Sequence, residues 1–179
     1  MNTCVTDVPM QREAHTSSLL IWLNGAPIYW CGIIDDLRAD IKTVKGAHPF
    51  AILAMAVLPE HLHAIWRLPP GDADYPMRWS LIKAGFSRRL AKGEHIRASR
   101  QVKRERGIWQ RRYWEHQIRD EIDLARHIDY IHYNPVKHGW VTRPVDWPHS
   151  TLHGYIERGM AASNWGGEMG DGVDGYGER

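Results

Sequence analysis

A small α+β sandwich is the fold class this sequence predicts, and three observations point to it. Helical stretches with one apolar face alternate with strand-like runs along the chain. The run at 50–58, FAILAMAVL, is continuously apolar, as a strand covered on both faces must be. No glycine-rich phosphate loop follows a strand, which separates the pattern from a nucleotide-binding doubly wound sheet.

Taken in order, residues 1–16 read as a loose start and 18–23 as a short strand. Ile34, Leu37, Ile41 and Val44 repeat at helical spacing and predict a helix over 33–44, with Asp35 and Asp36 in the first turn where the helix dipole favours them. The apolar run 50–58 ends at Pro59-Glu60, and 61–68 (HLHAIWRL) alternates as a second strand. Pro69-Pro70-Gly71-Asp72 makes a loop, 77–90 a basic helix, and 91–107 a polar connection. Residues 108–118 are strand-like, with a turn at Arg119-Asp120. The clearest helix follows. Asp120 is a good N-cap, Asp123 sits where a capping box places its acid, and Leu124, Ile128 and Ile131 form the core stripe. Asn134-Pro135 predicts its end, because the residue before proline disfavours helix. Lys137, His138 and Gly139 then make a basic turn, and 150–156 a final short helix or turn.

A length of 179 residues suits one domain, and 43% hydrophobic with 25% charged residues excludes wholesale disorder. Cys4 and Cys31 cannot make a disulfide scaffold, which points to a reducing, cytoplasmic setting. The longest apolar stretch, 19–34, is broken by Asn24, Gly25 and Pro27, so no membrane partner is expected, and 19–23 is too short for a signal peptide. The net charge of +2 hides an asymmetry: residues 78–112 carry twelve Lys/Arg and two acids, leaving a net −8 on the rest. Such a block points to a polyanion, and the aromatics Trp79, Phe86, Trp109, Tyr113 and Trp114 in or beside it could stack bases. Residues 159–179 hold seven glycines and four acids and are expected to form a flexible tail.

His61 and His63 stand at i and i+2 of a strand and leave the same face, a spacing that can present two imidazoles to one metal ion. On a helical wheel with Leu124 at zero, Asp123, His127, Tyr130 and Asn134 fall at about 260°, 300°, 240° and 280°, one polar strip beside the core stripe. If that helix crosses the sheet near the histidines, two imidazoles, an amide oxygen and a phenol converge. A metal ion can polarise a phosphodiester, and its charge favours the phenolate of a tyrosine nucleophile.

Four ordered segments resemble a known family. VLPEHLHAIW (57–66) is similar to the HUH region of single-tyrosine transposases. IWQRRYWEH (108–116) resembles their FWEH-type segment, DYIHYNPVKHG (129–139) their tyrosine helix, and DWPHS (146–150) the segment after it. Together these resemble the REP-associated tyrosine transposases, where REP denotes a repetitive extragenic palindrome. The resemblance implies a ferredoxin-like sandwich with a central antiparallel sheet and helices packed on it. It places the transposase domain at 27–158, between a divergent segment 1–26 and the tail 159–179. It implies a single-strand DNA endonuclease and strand transferase, dependent on Mg²⁺ or Mn²⁺. The enzyme would act as a monomer in the cytoplasm on REP-type hairpins, through a covalent 5′-phosphotyrosine. Tyr130 would be the nucleophile, and His61, His63 and Asn134 the metal ligands. Arg78, Lys83, Arg88, Arg89, Arg111, Arg112 and Lys137 are expected on the DNA.

Rival assignments follow from the same residues. Tyr113 and Tyr133 are alternative nucleophiles, and Glu60 an alternative ligand that a turn would point elsewhere. His116, His127, His132 and His138 read as DNA-facing or capping groups, Trp66 and Trp109 as core. The alternative functions are a hairpin-binding protein that has lost its chemistry and a metal-dependent hydrolase that uses water.

Overall fold

The computed structural model describes residues 14–22, 33–91, 106–110 and 113–166. Four strands make one antiparallel sheet: β1 (Ala14–Trp22), β2 (Ala51–Val57), β3 (His61–Pro70) and β4 (Trp114–Gln117), in the order β2-β3-β1-β4. Helix α1 (Ile34–Ala47) joins β1 to β2, and α2 (Tyr75–Arg89) lies between β3 and β4. This βαββαβ order with that strand arrangement is the ferredoxin-like topology expected. Two further α-helices follow, α3 (Glu121–Lys137) and the short α4 (Leu152–Glu157), with a 3₁₀ turn at Pro144–Asp146 between them.

The sheet is covered on both faces, and β3 shows how. Its even residues Leu62, Ala64, Trp66 and Leu68 enter one core with Leu37 and Ile41 of α1 and Trp79, Ile82 and Phe86 of α2. Its odd residue Ile65 enters a second core with Leu124, Ile128 and Ile131 of α3. His61 and His63 share the parity of Ile65 and therefore face α3. The β2–β3 turn is tight, with the Leu58 amide donating to the His61 carbonyl at 2.8 Å. The outer edge of β2 is covered by the DWPHS segment. The Val57 amide donates to the His149 carbonyl and the Thr151 amide to the Met55 carbonyl, each at 2.9 Å.

Several expectations need correction. β1 lies inside the sheet, between β3 and β4, and starts at Ala14. One of the two inner strands thus comes from the segment expected to be divergent. The expected strand 18–23 catches its second half; its start is missed because Thr16 and Ser17 are buried polar residues. β4 is only Trp114–Gln117, shorter than 108–118. Helix α3 runs through Pro135 to Lys137. It ends instead where Gly139 adopts φ 71°. There the Gly139 amide bonds the Val136 carbonyl and the Trp140 amide the Pro135 carbonyl, the Schellman pattern. One missing N–H in the last turn does not stop a helix whose Asn134 and Pro135 are buried. Within the segment expected to be a flexible tail, Trp165 is packed in the second core, 5% exposed.

His132 lies on the core side of α3, fully buried, rather than facing DNA. Its Nε2 is 2.9 Å from Thr151 Oγ1. That hydroxyl accepts from the Met55 amide and donates to the Met55 carbonyl, so the imidazole is the donor, a neutral ring protonated at Nε2. Burial, then nearby His153, pushes the His132 pKa down to about 3. The unfolded chain binds this proton near pH 6.5, so the stability due to the neutral ring is whole above about 6.5 and is lost as pH falls toward 3. Between pH 6.5 and 5 the loss should be roughly 2 kcal/mol. Urea unfolding at pH 7.5 and 5.0 tests it: the wild-type midpoint should fall further than that of His132→Gln, and equal falls would refute the assignment.

Candidate active site

Helix α3 divides its polar strip between two clusters. Its C-terminal half meets β3. His61 Nε2 lies 3.3 Å from Asn134 Oδ1, and the His63 ring meets the Tyr130 ring edge-on at 5.4 Å between centroids. The two imidazoles are 5.0 Å apart and nearly perpendicular. All four residues are at most 2% exposed. The structure thus brings together the four residues singled out for chemistry, all from one chain.

Three neighbours complete this cluster. Glu60 Oε1 is 3.4 Å from His61 Nδ1, so the turn aims Glu60 at the ring instead of away from it, leaving Nε2 for the Asn134 side. The His138 ring is 4.8 Å from that of His61. Lys137 Nζ donates to the Tyr130 hydroxyl at 3.0 Å and sits 4.8 Å from its ring centroid.

The N-terminal half of the strip meets β4. His116 Nε2 lies 2.8 Å from Asp123 Oδ2, and His127 Nδ1 3.1 Å from Asp123 Oδ1. The two imidazoles stack at 4.7 Å with planes 6° apart. One ligand atom from each of the three residues lies within 4.8 Å of the others, so this is a His/Asp/His set that can hold a metal ion. The wheel found Asp123 and His127; what it could not supply was the register that brings His116 of β4 over them. Burial raises the Asp123 carboxyl, but the His116 bond and the Arg119 amide outweigh it and hold it below its ordinary range. Burial lowers the His127 imidazole against the opposing Asp123 carbonyl bond.

The rival tyrosines separate by position. Tyr113 packs on the α1/α2 side of the sheet, away from His61 and His63, and burial together with Glu115 pushes its hydroxyl pKa up. Tyr133 packs at the edge of the second core.

The cationic residues divide as well. Arg78, expected on DNA, is 3% exposed. Its guanidinium reaches Asp72 at 2.5 Å and the carbonyls of His48, Pro49 and Asp74, so it ties the β3–α2 loop to the end of α1. A cation fixed in that way is a structural residue. Arg89 pairs with Asp40 at 3.0 Å, and Asp36 lies 3.7 Å away. Lys83 lies 5.6 Å from the Tyr113 ring centroid, and burial lowers its pKa. Arg88 is exposed. Arg106 caps the end of α2, donating to the carbonyls of Ser87, Leu90 and Ala91. Arg111 and Arg112 lie outside the described residues. Trp79 and Phe86, considered above for base stacking, are fully buried, and Trp66 is core as expected. Trp109 packs against Trp79 and Phe86 and donates to Ser87 Oγ at 3.0 Å.

An antiparallel sheet that carries two histidines under a tyrosine-bearing helix has the architecture of the single-tyrosine transposase class. Relatives narrow it. A REP-associated tyrosine transposase of Escherichia coli K12 is 44% identical over 135 residues, 75% of this chain and 74% of that protein. A Haemophilus influenzae relative named for the same family is 43% identical over 140 residues, 78% of this chain and 80% of its own. The solved structure of a REP-associated tyrosine transposase bound to a REP hairpin superposes with a TM-score of 0.76 at 37% identity, covering 98% of both chains. No protein-family model matches. The chain belongs to the REP-associated tyrosine transposases. Among its described residues, no helix is long and apolar enough to cross a membrane.

The reassignment of Arg78 is testable. Arg78→Met should lower unfolding stability by about 2–3 kcal/mol, less than the loss of a fully buried pair because Asp72 is partly exposed. Urea denaturation measures it, and an unchanged midpoint would return Arg78 to the DNA contacts.

Proposed function

We propose that this protein is a divalent-metal-dependent single-strand DNA endonuclease and strand transferase. It binds REP-type hairpins and cleaves through a 5′-phosphotyrosine at Tyr130. The observation that carries the reading is the meeting of Tyr130 and Asn134, one helical turn apart on α3, with His63 and His61 on β3. The hairpin substrate rests on the family and on the relative solved with a REP hairpin.

His61, His63 and Asn134 supply two imidazole nitrogens and an amide oxygen, a set suited to Mn²⁺, or to Mg²⁺ when water and phosphate oxygens fill the remaining positions. His61 Nε2 and Asn134 Oδ1 lie 3.3 Å apart with the His63 ring beside them, so these residues would be the ones to hold such an ion. When bound, the ion polarises the scissile phosphate and neutralises charge on its oxygens.

The chain's own residues do the rest. Helix α3 holds Tyr130 beside that position, so the phenol and the phosphate meet without a search through rotamers. After its proton has passed to solvent, the Tyr130 oxygen attacks phosphorus. The bond from phosphorus to the 3′-oxygen breaks, and that oxygen takes a proton from solvent to leave as a 3′-hydroxyl. The tyrosyl ester keeps the phosphodiester's bonding energy, and a second 3′-hydroxyl can reverse the step to join strands. We take the working unit to be a monomer, as the family resemblance implies; the histidines and the tyrosine meet within the single chain. Arg88, Arg111 and Arg112 are the proposed phosphate contacts.

A labelled single-stranded REP hairpin with flanking sequence, incubated with the protein and Mn²⁺ and run on a denaturing gel, tests this. Wild type should give a protein–DNA adduct, absent in Tyr130→Phe, which should still bind. His63→Ala should lose metal-dependent cleavage with hairpin affinity changed by less than about threefold. Cleavage by Tyr130→Phe would establish a water-activating hydrolase, and binding without cleavage by wild type a degenerate binder.

A further inference from the structure

We propose that Lys137 is a catalytic residue acting on the Tyr130 oxygen, not a contact to the DNA backbone; this rests on the tyrosine chemistry proposed above. Lys137 follows Tyr130 by seven residues, two turns along the same face of α3. Its ammonium donates to the Tyr130 hydroxyl at 3.0 Å and lies 4.8 Å from the ring centroid. The hydroxyl belongs to a side chain only 2% exposed, where water does little to solvate an anionic oxygen. Lys137 is the last residue of the helix, and the turn closed by Gly139 fixes the backbone from which it reaches back. Lys137 is itself solvent-exposed, so what marks it out from a simple phosphate contact is that its ammonium is turned back onto the buried Tyr130 hydroxyl.

The contact bears on both half-reactions. In cleavage, the phenolate carries a full negative charge before its bond to phosphorus forms. In strand transfer, an acceptor 3′-hydroxyl loses its proton to solvent and attacks phosphorus, and the bond from phosphorus to the Tyr130 oxygen breaks. The electron pair stays on that oxygen. A fixed ammonium stabilises the same atom as nucleophile and as leaving group, and it is in place before charge develops. In both steps the role of Lys137 is that of a hydrogen-bond donor to the Tyr130 oxygen.

Single-turnover kinetics at saturating hairpin, with Mn²⁺, separate the two roles. Lys137→Met and Lys137→Gln should each slow adduct formation by about 10²-fold, with hairpin Kd changed by less than about threefold. Lys137→Arg, which keeps a cationic donor, should recover the rate to within about tenfold of wild type. Adduct isolated from each variant and given an acceptor 3′-hydroxyl should show a comparable defect in strand transfer. Unchanged saturating rates, with weaker binding and a salt slope reduced by about one, would make Lys137 a phosphate contact and overturn the proposal. Slow rates in Met and Gln variants that Arg does not recover would also overturn it, as a packing effect. Absence of adduct from wild type would remove the tyrosine chemistry and this proposal with it. Adduct from wild type at the same rate as from all three variants would remove only the proposal.

Discussion

The register of β3 is the constraint on which the candidate site depends. Leu62, Ala64, Trp66 and Leu68 are at most 1% exposed and lock into the core under α1 and α2. With that set fixed, His61 and His63 have no choice but the α3 face. A slip of one residue would exchange the two sets, placing imidazoles among Leu37, Trp79 and Phe86 and large apolar groups under α3. Neither core would tolerate it. Strand β3 is held from both sides, by β2 opposite Val57 and by β1 opposite Trp22. The positions of two polar residues are therefore set by apolar ones, and the histidines need contribute nothing to the strand's stability to be accurately placed.

The same division explains how much was legible in the sequence. A period of 2 in HLHAIWRL put both histidines on one face, and a period of 3.6 put Tyr130 and Asn134 on one strip; both are local properties that the backbone repeats dictate. The approach of that strip to those histidines was legible only through the family resemblance, because no local rule says where a helix crosses a sheet. Two details escaped for the same reason. The strip carries four polar residues, yet β4 takes Asp123 and His127 while β3 takes Tyr130 and Asn134, and His116 entered only through strand pairing. Strand β1 was undervalued because an inner strand flanked by partners on both edges is identified by its pairing, and Ser17 answers Glu115 of β4 at 2.8 Å instead of presenting an apolar pattern.

Charge misleads in a similar way. The excess over residues 78–112 reads as a polyanion footprint, but a guanidinium also closes loops and helix ends, where several carbonyls converge with no N–H left to answer them. Arg78 and Arg106 are of that kind, and Arg89 answers Asp40 across the α1–α2 interface. Composition cannot separate these from solvated cations. Burial and partners can: among the described residues they give Arg78 and Arg106 structural roles and leave Arg88 exposed.

Placing the proposed nucleophile and the proposed amide ligand on one helix has a mechanical consequence. Tyr130, Asn134 and Lys137 sit at i, i+4 and i+7, so their separations are properties of a rigid helix, pinned at its start by Asp120 accepting from the Asp123 amide and at its end by Gly139. Any movement of α3 over the sheet carries all three together: the tyrosine cannot approach β3 without the amide oxygen approaching His61. In the proposed reaction this couples the nucleophile to the metal position. Lys137, on the last residue of the same helix, moves with them and stays within hydrogen-bond reach of the Tyr130 oxygen. A helix that delivered the phenol alone would leave its charge to be met by solvent. This helix brings the cation with it.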